Sequence, residues 1–342
     1  MKLKKEFSDF YSAIRIDSES QVLRQKREIL ENDIYAKLPD ILAKHDISIN
    51  KSDIRTIIQG SYKYNTTIKS DIVDCDIAVF IPLDTYKNND PRKIKGFIRD
   101  AINIPSRTVT IKEPCVTASY YEDNKEWLHI DLPLYAQDGN QIYLARGKEF
   151  SDNYSWENAD PEGLNDYLCN QINGNYQLRR IICFIKKWKA EHYKNSVNDH
   201  EVPPSIGLTL LACECFCPES MDDDDDDLLS FRNTLKRIQD KFNVEYSPCS
   251  DSDIVNASIS CYLPTTPYSD VFSKMEDSSD SYMITFYKRL SNAVSNLTNA
   301  VNLESAHDAG EYVQKVLGTD FTVPAKEAVA SNILNKREHS FG

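Results

Sequence analysis

Three aspartates and a glycine-serine step are the residues of this chain whose types and spacing could do chemistry. Asp74 and Asp76 stand one residue apart in DIVDCDIAVFI (71–81), and Asp131 stands in EWLHIDLPLY (126–135). Along an extended strand, side chains two residues apart share a face. Asp74, Asp76 and Ala78 therefore point one way while Cys75, Ile77 and Val79 point the other. In the second segment Leu128, Ile130, Leu132 and Leu134 alternate in the same manner with His129 and Asp131. Carboxylates gathered in a partly buried site repel one another unless a cation neutralises them. Magnesium suits such a set, because it takes oxygen ligands from one or two carboxylates and completes its shell with water and substrate phosphates. Two such ions, about 3.5–4 Å apart, can clamp the attacking and leaving oxygens of an in-line phosphoryl displacement. That chemistry needs three acids, and Mn²⁺ would be the substitute ion.

Gly60-Ser61 offers a landing place for the phosphates. Glycine lets the backbone approach closely, and N–H groups at an incipient helix N-terminus favour anions. Twelve residues separate Ser61 from Asp74. Each motif alone is common, and the combination, with apolar strand residues directly after it, is what points to a nucleotide site. His129, on the acid-bearing face, reads as a packing or hydrogen-bonding residue.

The elements that must hold these groups are legible from periodicity. Residues 19–44 carry Val22, Leu23, Ile29, Leu30, Ile34, Leu38 and Ile41 at helical spacing, with a bend expected at Pro39. A short strand over 54–58 runs into Gly60-Ser61, and a second is expected over about 71–81. Beyond residue 152 the texture becomes helical. LRRIICFIKKWKAEHY (178–193) places Leu178, Ile181, Ile182, Ile185 and Trp188 on one stripe, and IGLTLLACECF follows Pro203-Pro204-Ser205 as a buried helix. Two more helices are expected over 226–242 and 281–302, and 245–270, rich in Ser, Asp and Pro, reads mostly as loop. This is an α+β chain in two lobes. A sheet lobe over 1–150 carries a long bracing helix, a helical lobe covers 151–325, and 326–342 forms a tail.

Composition narrows the functional classes. The 342 residues carry a formal charge of −13, which argues against a protein that grips long nucleic acid by neutralising phosphates. Six aspartates, Asp222 to Asp227, contribute to that excess and read as a solvated, self-repelling loop. Nine cysteines without a framework, in a chain this long, fit reduced thiols, and Cys213, Cys215 and Cys217 read as small buried hydrophobes. The N-terminus lacks the apolar core of a signal peptide and no apolar run approaches bilayer length, so a cytoplasmic protein with no membrane partner is expected.

The motifs together resemble a known family. GSY, DCDIAVFI and HIDLPLY resemble the signature of polymerase-β-type nucleotidyltransferases, and QGSYKYNTTI is similar to the opening of the cGAS/DncV-like nucleotidyltransferases of bacterial anti-phage signalling. RRIICFIKKWKAEHY, VPPSIGLTLLA and YVQKVLGTDF resemble that family's helical-lobe motifs. The resemblance spans about residues 20–325 and implies a bilobed polymerase-β-like fold that closes over ribonucleoside triphosphates. It implies an enzyme that condenses them, ATP among them, into a cyclic oligonucleotide second messenger and releases pyrophosphate.

Carried over residue by residue, Asp74 and Asp76 would bind both metal ions. Asp131 would hold the catalytic one and activate the attacking ribose hydroxyl. Gln59, Gly60 and Ser61 would meet the nucleotide, and Lys186 and Ser205 would grip the triphosphate. Lys187 and Lys189 are alternatives to Lys186 in the same basic run, and Ser205 is equally a candidate helix cap. Asn65 stands where relatives often carry glycine, and asparagine tolerates the left-handed backbone such a turn needs. The resemblance further implies a regulatory or ubiquitin-like conjugation partner, with Gly342 as the point of attachment. Three rival readings stay open: a template-independent nucleotidyltransferase acting on an RNA end or another acceptor, an inactive nucleotide-binding scaffold, and a regulated partner-binding protein whose site is silent until another protein engages it.

Overall fold

The alternation in DIVDCDIAVFI is realised as a ten-residue strand whose Cys75, Ile77, Val79 and Ile81 enter one core while Ala78 and Phe80 enter another. The computed structural model describes residues 2–16, 21–69 and 72–326, so the tail expected beyond residue 326, with Gly342, lies outside them. The sheet strands are β1 (Arg55–Gln59), β2 (Val73–Pro82), β3 (Thr108–Ile111), β4 (Val116–Glu122), β5 (Lys125–Leu132), β6 (Leu134–Asp138), β7 (Gln141–Arg146) and β8 (Ser155–Asn158). β2 is their axis. It pairs antiparallel with β1 along one edge, and along the other it runs parallel to β5 and then to β6, with Pro133 between them. β3 and β4 extend the sheet beyond β5, while β7 and β8 extend it beyond β6, all antiparallel.

Eleven helices are described: α1 (Lys4–Ile14), α2 (Gln21–Ala43), α3 (Gly60–Lys63), α4 (Pro91–Ile102), α5 (Pro161–Ile172), α6 (Tyr176–Tyr193), α7 (Ser205–Cys215), α8 (Asp227–Asp240), α9 (Ser273–Ser278), α10 (Asp280–Asn302) and α11 (Ala306–Leu317). The bracing helix expected from periodicity is α2. Its Leu23, Leu30, Ile34, Leu38 and Leu42 are buried against the sheet together with Ile94, Ile98 and Ile102 of α4, and it continues through Pro39. Helices α5 to α11 form a second core around Phe184, Trp188, Phe231 and Phe286. The mixed sheet with a helical second half is the α+β fold expected. Among the described residues no helix is long and apolar enough to cross a membrane.

Four local expectations are corrected. α1, counted with the sheet lobe in the 1–150 reading, packs with the helical lobe instead: Phe7 and Phe10 stack against Phe184 and Phe321, at centroid distances of 5.2–5.8 Å. A short amphipathic helix carries no mark of which core it will join. The aspartate run is partnered as well as solvated. Asp224 pairs with Lys4, Asp225 and Asp227 both pair with Arg180, and Asp226 caps α8 through the Leu229 amide. The 245–270 region contains a hairpin, Asn243–Ser247 with Ser250–Ser258, whose Ile254 and Ala257 join the helical core despite a Ser-rich sequence. Cys215 is buried as expected, but Cys213 and Cys217 are only partly covered.

Candidate active site

Adjacent strands line up one row of polar side chains across the sheet. Asp76 on β2 faces Gln59 of β1 across the antiparallel edge and Asp131 of β5 across the parallel edge, and Asp131 faces Thr117 of β4. Residues directly across a ladder share a face, so Gln59, Asp76, Asp131 and Thr117 stand side by side. Two residues away along the strands a second row holds Asp74, His129 and Ser119. The two acid-bearing segments of the sequence are thereby brought together.

The electrostatics follow from this crowding. Burial, then the charges of Asp74 and Asp131, hold the Asp76 carboxyl far above the ordinary carboxylate range, with His129 and Lys186 opposing. His129 Nε2 donates to Asp74 Oδ1 at 3.1 Å, and that hydrogen bond raises the imidazole's proton affinity. Asp131 Oδ1 accepts from the Thr117 hydroxyl at 2.5 Å and has Lys112 Nζ at 3.7 Å. One ligand atom each from Asp74, His129 and Asp131 lie within 4.8 Å of one another. Mutually repelling carboxylates, one of them enclosed, are the donor set a hard divalent cation relieves, so the residues present fit such an ion.

Gly60 earns its place sterically. Its φ is +71°, and a Cβ there would lie 2.2 Å from Asp76 Oδ2. The carboxylate itself thus fills the space that the sequence reading reserved for an approaching phosphate. Just beyond, Asn65 adopts φ +55°, the left-handed conformation expected of it, and the chain turns back so that the Thr66 amide donates to Ser61 O at 3.0 Å and Ser61 Oγ meets Thr67 Oγ1 at 3.0 Å.

These groups open onto a cavity of about 580 Å³ between the lobes. Gln59, Gly60, Ser61, Asp74 and Asp76 line it from the sheet side, and Lys186, Lys189 and Ser205 line it from α6 and α7. Asp131 is not part of the lining; it stands beside Asp76 at its edge. Lys186 Nζ donates to Thr66 O at 3.0 Å and Thr66 Oγ1 at 3.1 Å, and Lys189 Nζ donates to Ser205 Oγ at 2.8 Å. Burial lowers the pKa of both lysines to about 8. Lys187 turns away to Glu191 and Asp320. Of the basic run, then, two lysines three residues apart share the cavity face, as helical periodicity allows. Ser205 is the first residue of α7 and makes no cap; Pro204 occupies that position, and the Ser205 hydroxyl is left for Lys189.

Sequence reading missed Thr117, the pairing of Lys189 with Ser205, and Tyr135, which lines the cavity. Only the i, i+3 spacing of Lys186 and Lys189 carried a signal. Trp188 is wholly buried in the helical core, as its spacing indicated, and the hydroxyl of buried Tyr64 donates to Asn165.

Residues 54–135 match the family model described as cyclic GMP-AMP synthase DncV-like, nucleotidyltransferase domain. The chain is 25% identical over 186 residues to a cyclic GMP-AMP synthase of Escherichia albertii, a stretch covering 50% of this chain and 39% of that protein. The chain thus spans about two fifths of the length of the curated relative it matches. The crystal structure of the Vibrio cholerae DncV cyclic AMP-GMP synthase superposes with a TM-score of 0.69 at 15% identity, covering 95% of this chain and all of that one. The same enzyme in complex with the linear intermediate 5′ pppA(3′,5′)pG gives a TM-score of 0.68 at 16% identity, over 94% of this chain and 96% of the other. The 3′-deoxy GTP bound form of Escherichia coli DncV gives 0.64 at 16% identity, over 91% and 93%. At these identities the structural likeness is one of fold.

Proposed function

We propose that this chain is a cGAS/DncV-like nucleotidyltransferase, a reading supported by the family match over residues 54–135 and by the fold, and that it is a Mg²⁺-dependent enzyme that condenses ribonucleoside triphosphates, ATP among them, into a cyclic oligonucleotide messenger of antiviral defence. The observation that carries this reading is the convergence of Asp74, Asp76 and Asp131 from two parallel strands beside a cavity that Lys186 and Lys189 also line.

Asp74 and Asp76 would hold two divalent ions, and Asp131 would hold one of them. When bound, those ions supply charge neutralisation at the α-phosphate and along the triphosphate. Asp131, beside Asp76 at the cavity edge, takes the proton of the attacking ribose hydroxyl. Lys186 and Lys189 grip the triphosphate tail, with Ser205 holding Lys189 in place and Ser61 donating beside them. Gln59, on the cavity lining, meets the nucleotide. The side chains do little covalent work; they position the reactants and balance charge. Proton transfer to Asp131 accompanies formation of the new phosphodiester bond, and pyrophosphate leaves with the electron pair of the broken phosphoanhydride.

The decisive assay incubates purified protein with Mg²⁺ and labelled ATP, GTP, CTP and UTP without added acceptor. The expected result is pyrophosphate release and a phosphatase-resistant cyclic product, both lost in Asp131→Asn. Product formed only when an RNA end is supplied would instead establish acceptor-directed transfer. Tight ATP binding without turnover would favour the inactive scaffold.

A further inference from the structure

The row of side chains that crosses the sheet does not stop at the acids. Thr117 is 1% exposed, stands directly opposite Asp131 in the β4–β5 ladder, and donates its hydroxyl proton to Asp131 Oδ1 at 2.5 Å. Its oxygen in turn lies 3.6 Å from the buried Cys115 thiol, which is free to donate since the threonine proton is committed to the carboxylate. A buried threonine on a strand can satisfy itself at a nearby backbone carbonyl. This one serves a carboxylate of the proposed site instead.

A competitor makes the contact matter. Lys112 Nζ stands 3.7 Å from the same oxygen, Oδ1, and its side chain is about half exposed. A carboxylate whose terminal torsion is broad can rotate toward that ammonium and away from Asp76. The Thr117 hydrogen bond opposes the rotation and fixes one oxygen against β4, which leaves Oδ2 as the oxygen offered to the site. We infer that Thr117 is a positioning residue that locks the orientation of Asp131, and that the strength of cation binding at the acid cluster depends on its hydroxyl rather than on its bulk. The inference rests on the reading of Asp131 given above. It extends that reading to a residue that touches neither nucleotide nor cation.

The test uses Thr117→Val, which keeps shape and removes the donor, beside Thr117→Ser, which keeps the donor and removes a methyl. Mn²⁺ binding is followed by electron paramagnetic resonance in the presence of a non-hydrolysable ATP analogue, with steady-state kinetics in parallel and thermal melting to confirm folding. Thr117→Val is expected to weaken Mn²⁺ binding and lower kcat by about 10–100-fold, the usual effect of losing a hydrogen bond to a metal-ligating group. The KM for the nucleoside triphosphate should change little, and Thr117→Ser should restore both readouts. Wild-type Mn²⁺ affinity in Thr117→Val overturns the inference, and so does an equal loss in Thr117→Ser, which would assign the effect to packing. Asp131→Asn separates the two levels: if it too binds Mn²⁺ like the wild type, the reading of the acid cluster fails, whereas a loss in Asp131→Asn alone removes only the role of Thr117.

Discussion

Lys186 and Lys189 show how one side chain's surroundings become a measurable property. Both ammonium groups line the cavity and are held by hydrogen bonds, and partial burial lowers each pKa to about 8. A bound triphosphate brings negative charge that favours the protonated lysines, so their pKa values rise on binding. The sign follows directly. Below about pH 7 both lysines are charged with or without ligand, and binding adds no proton to either of them. Above pH 8 the free protein has lost protons that the complex retains. Binding then takes up protons and weakens as pH climbs. Calorimetry at pH 8.5 in metal-free buffers of different ionisation enthalpy should give nucleotide-binding heats that differ with the buffer. Identical heats would mean that these lysines do not face the phosphates.

The turn between β1 and β2 is where backbone conformation sets the site. Gly60 places Asp76 over its missing Cβ, and Asn65 turns the chain back so that Ser61, Thr66 and Thr67 close a hydrogen-bonded loop against Lys186. An L-residue other than Gly, Asn or Asp in the left-handed region costs about 1–2 kcal/mol. Asn65→Val is therefore expected to destabilise the protein by roughly that amount, read as a lower urea midpoint, while Asn65→Gly stays near the wild type. Equal midpoints for the two variants would mean that the turn does not need this conformation. The alternation of β2 and β5 could be read in the chain, yet the register that sets Asp76 beside Asp131 could not, because strand pairing leaves no local trace.

Over the entire protein, the first helix straps the two lobes together. α1 buries Phe7 and Phe10 in the helical core, and the segment after it bonds the 66–69 turn, with Lys69 N donating to Ile14 O and Ile16 N donating to Thr67 O. Arg55 of β1 reaches Glu162 of α5 through two hydrogen bonds of 2.6 and 2.8 Å, a second link between lobes. Removing a buried phenyl ring leaves both lost transfer energy and a cavity, typically 3–5 kcal/mol. Phe7→Ala should cost about that much, whereas Lys5→Ala on the exposed face should leave the unfolding midpoint near that of the wild type. An unfolding midpoint for Phe7→Ala equal to that of the wild type would show that α1 adds nothing to the core.

The chain by itself determined which residues are acidic, which strands carry them and which faces are apolar, because alternation and helical periodicity are local consequences of burying one side of an element. It also marked Gly60 and Asn65, since few residues accept their backbone geometry. The partners of these residues belong to the tertiary structure alone. Thr117 beside Asp131, Lys189 on Ser205, α1 in the second lobe and the aspartate run against Arg180 all join residues distant in sequence, and such pairings arise only when whole faces pack and one register wins.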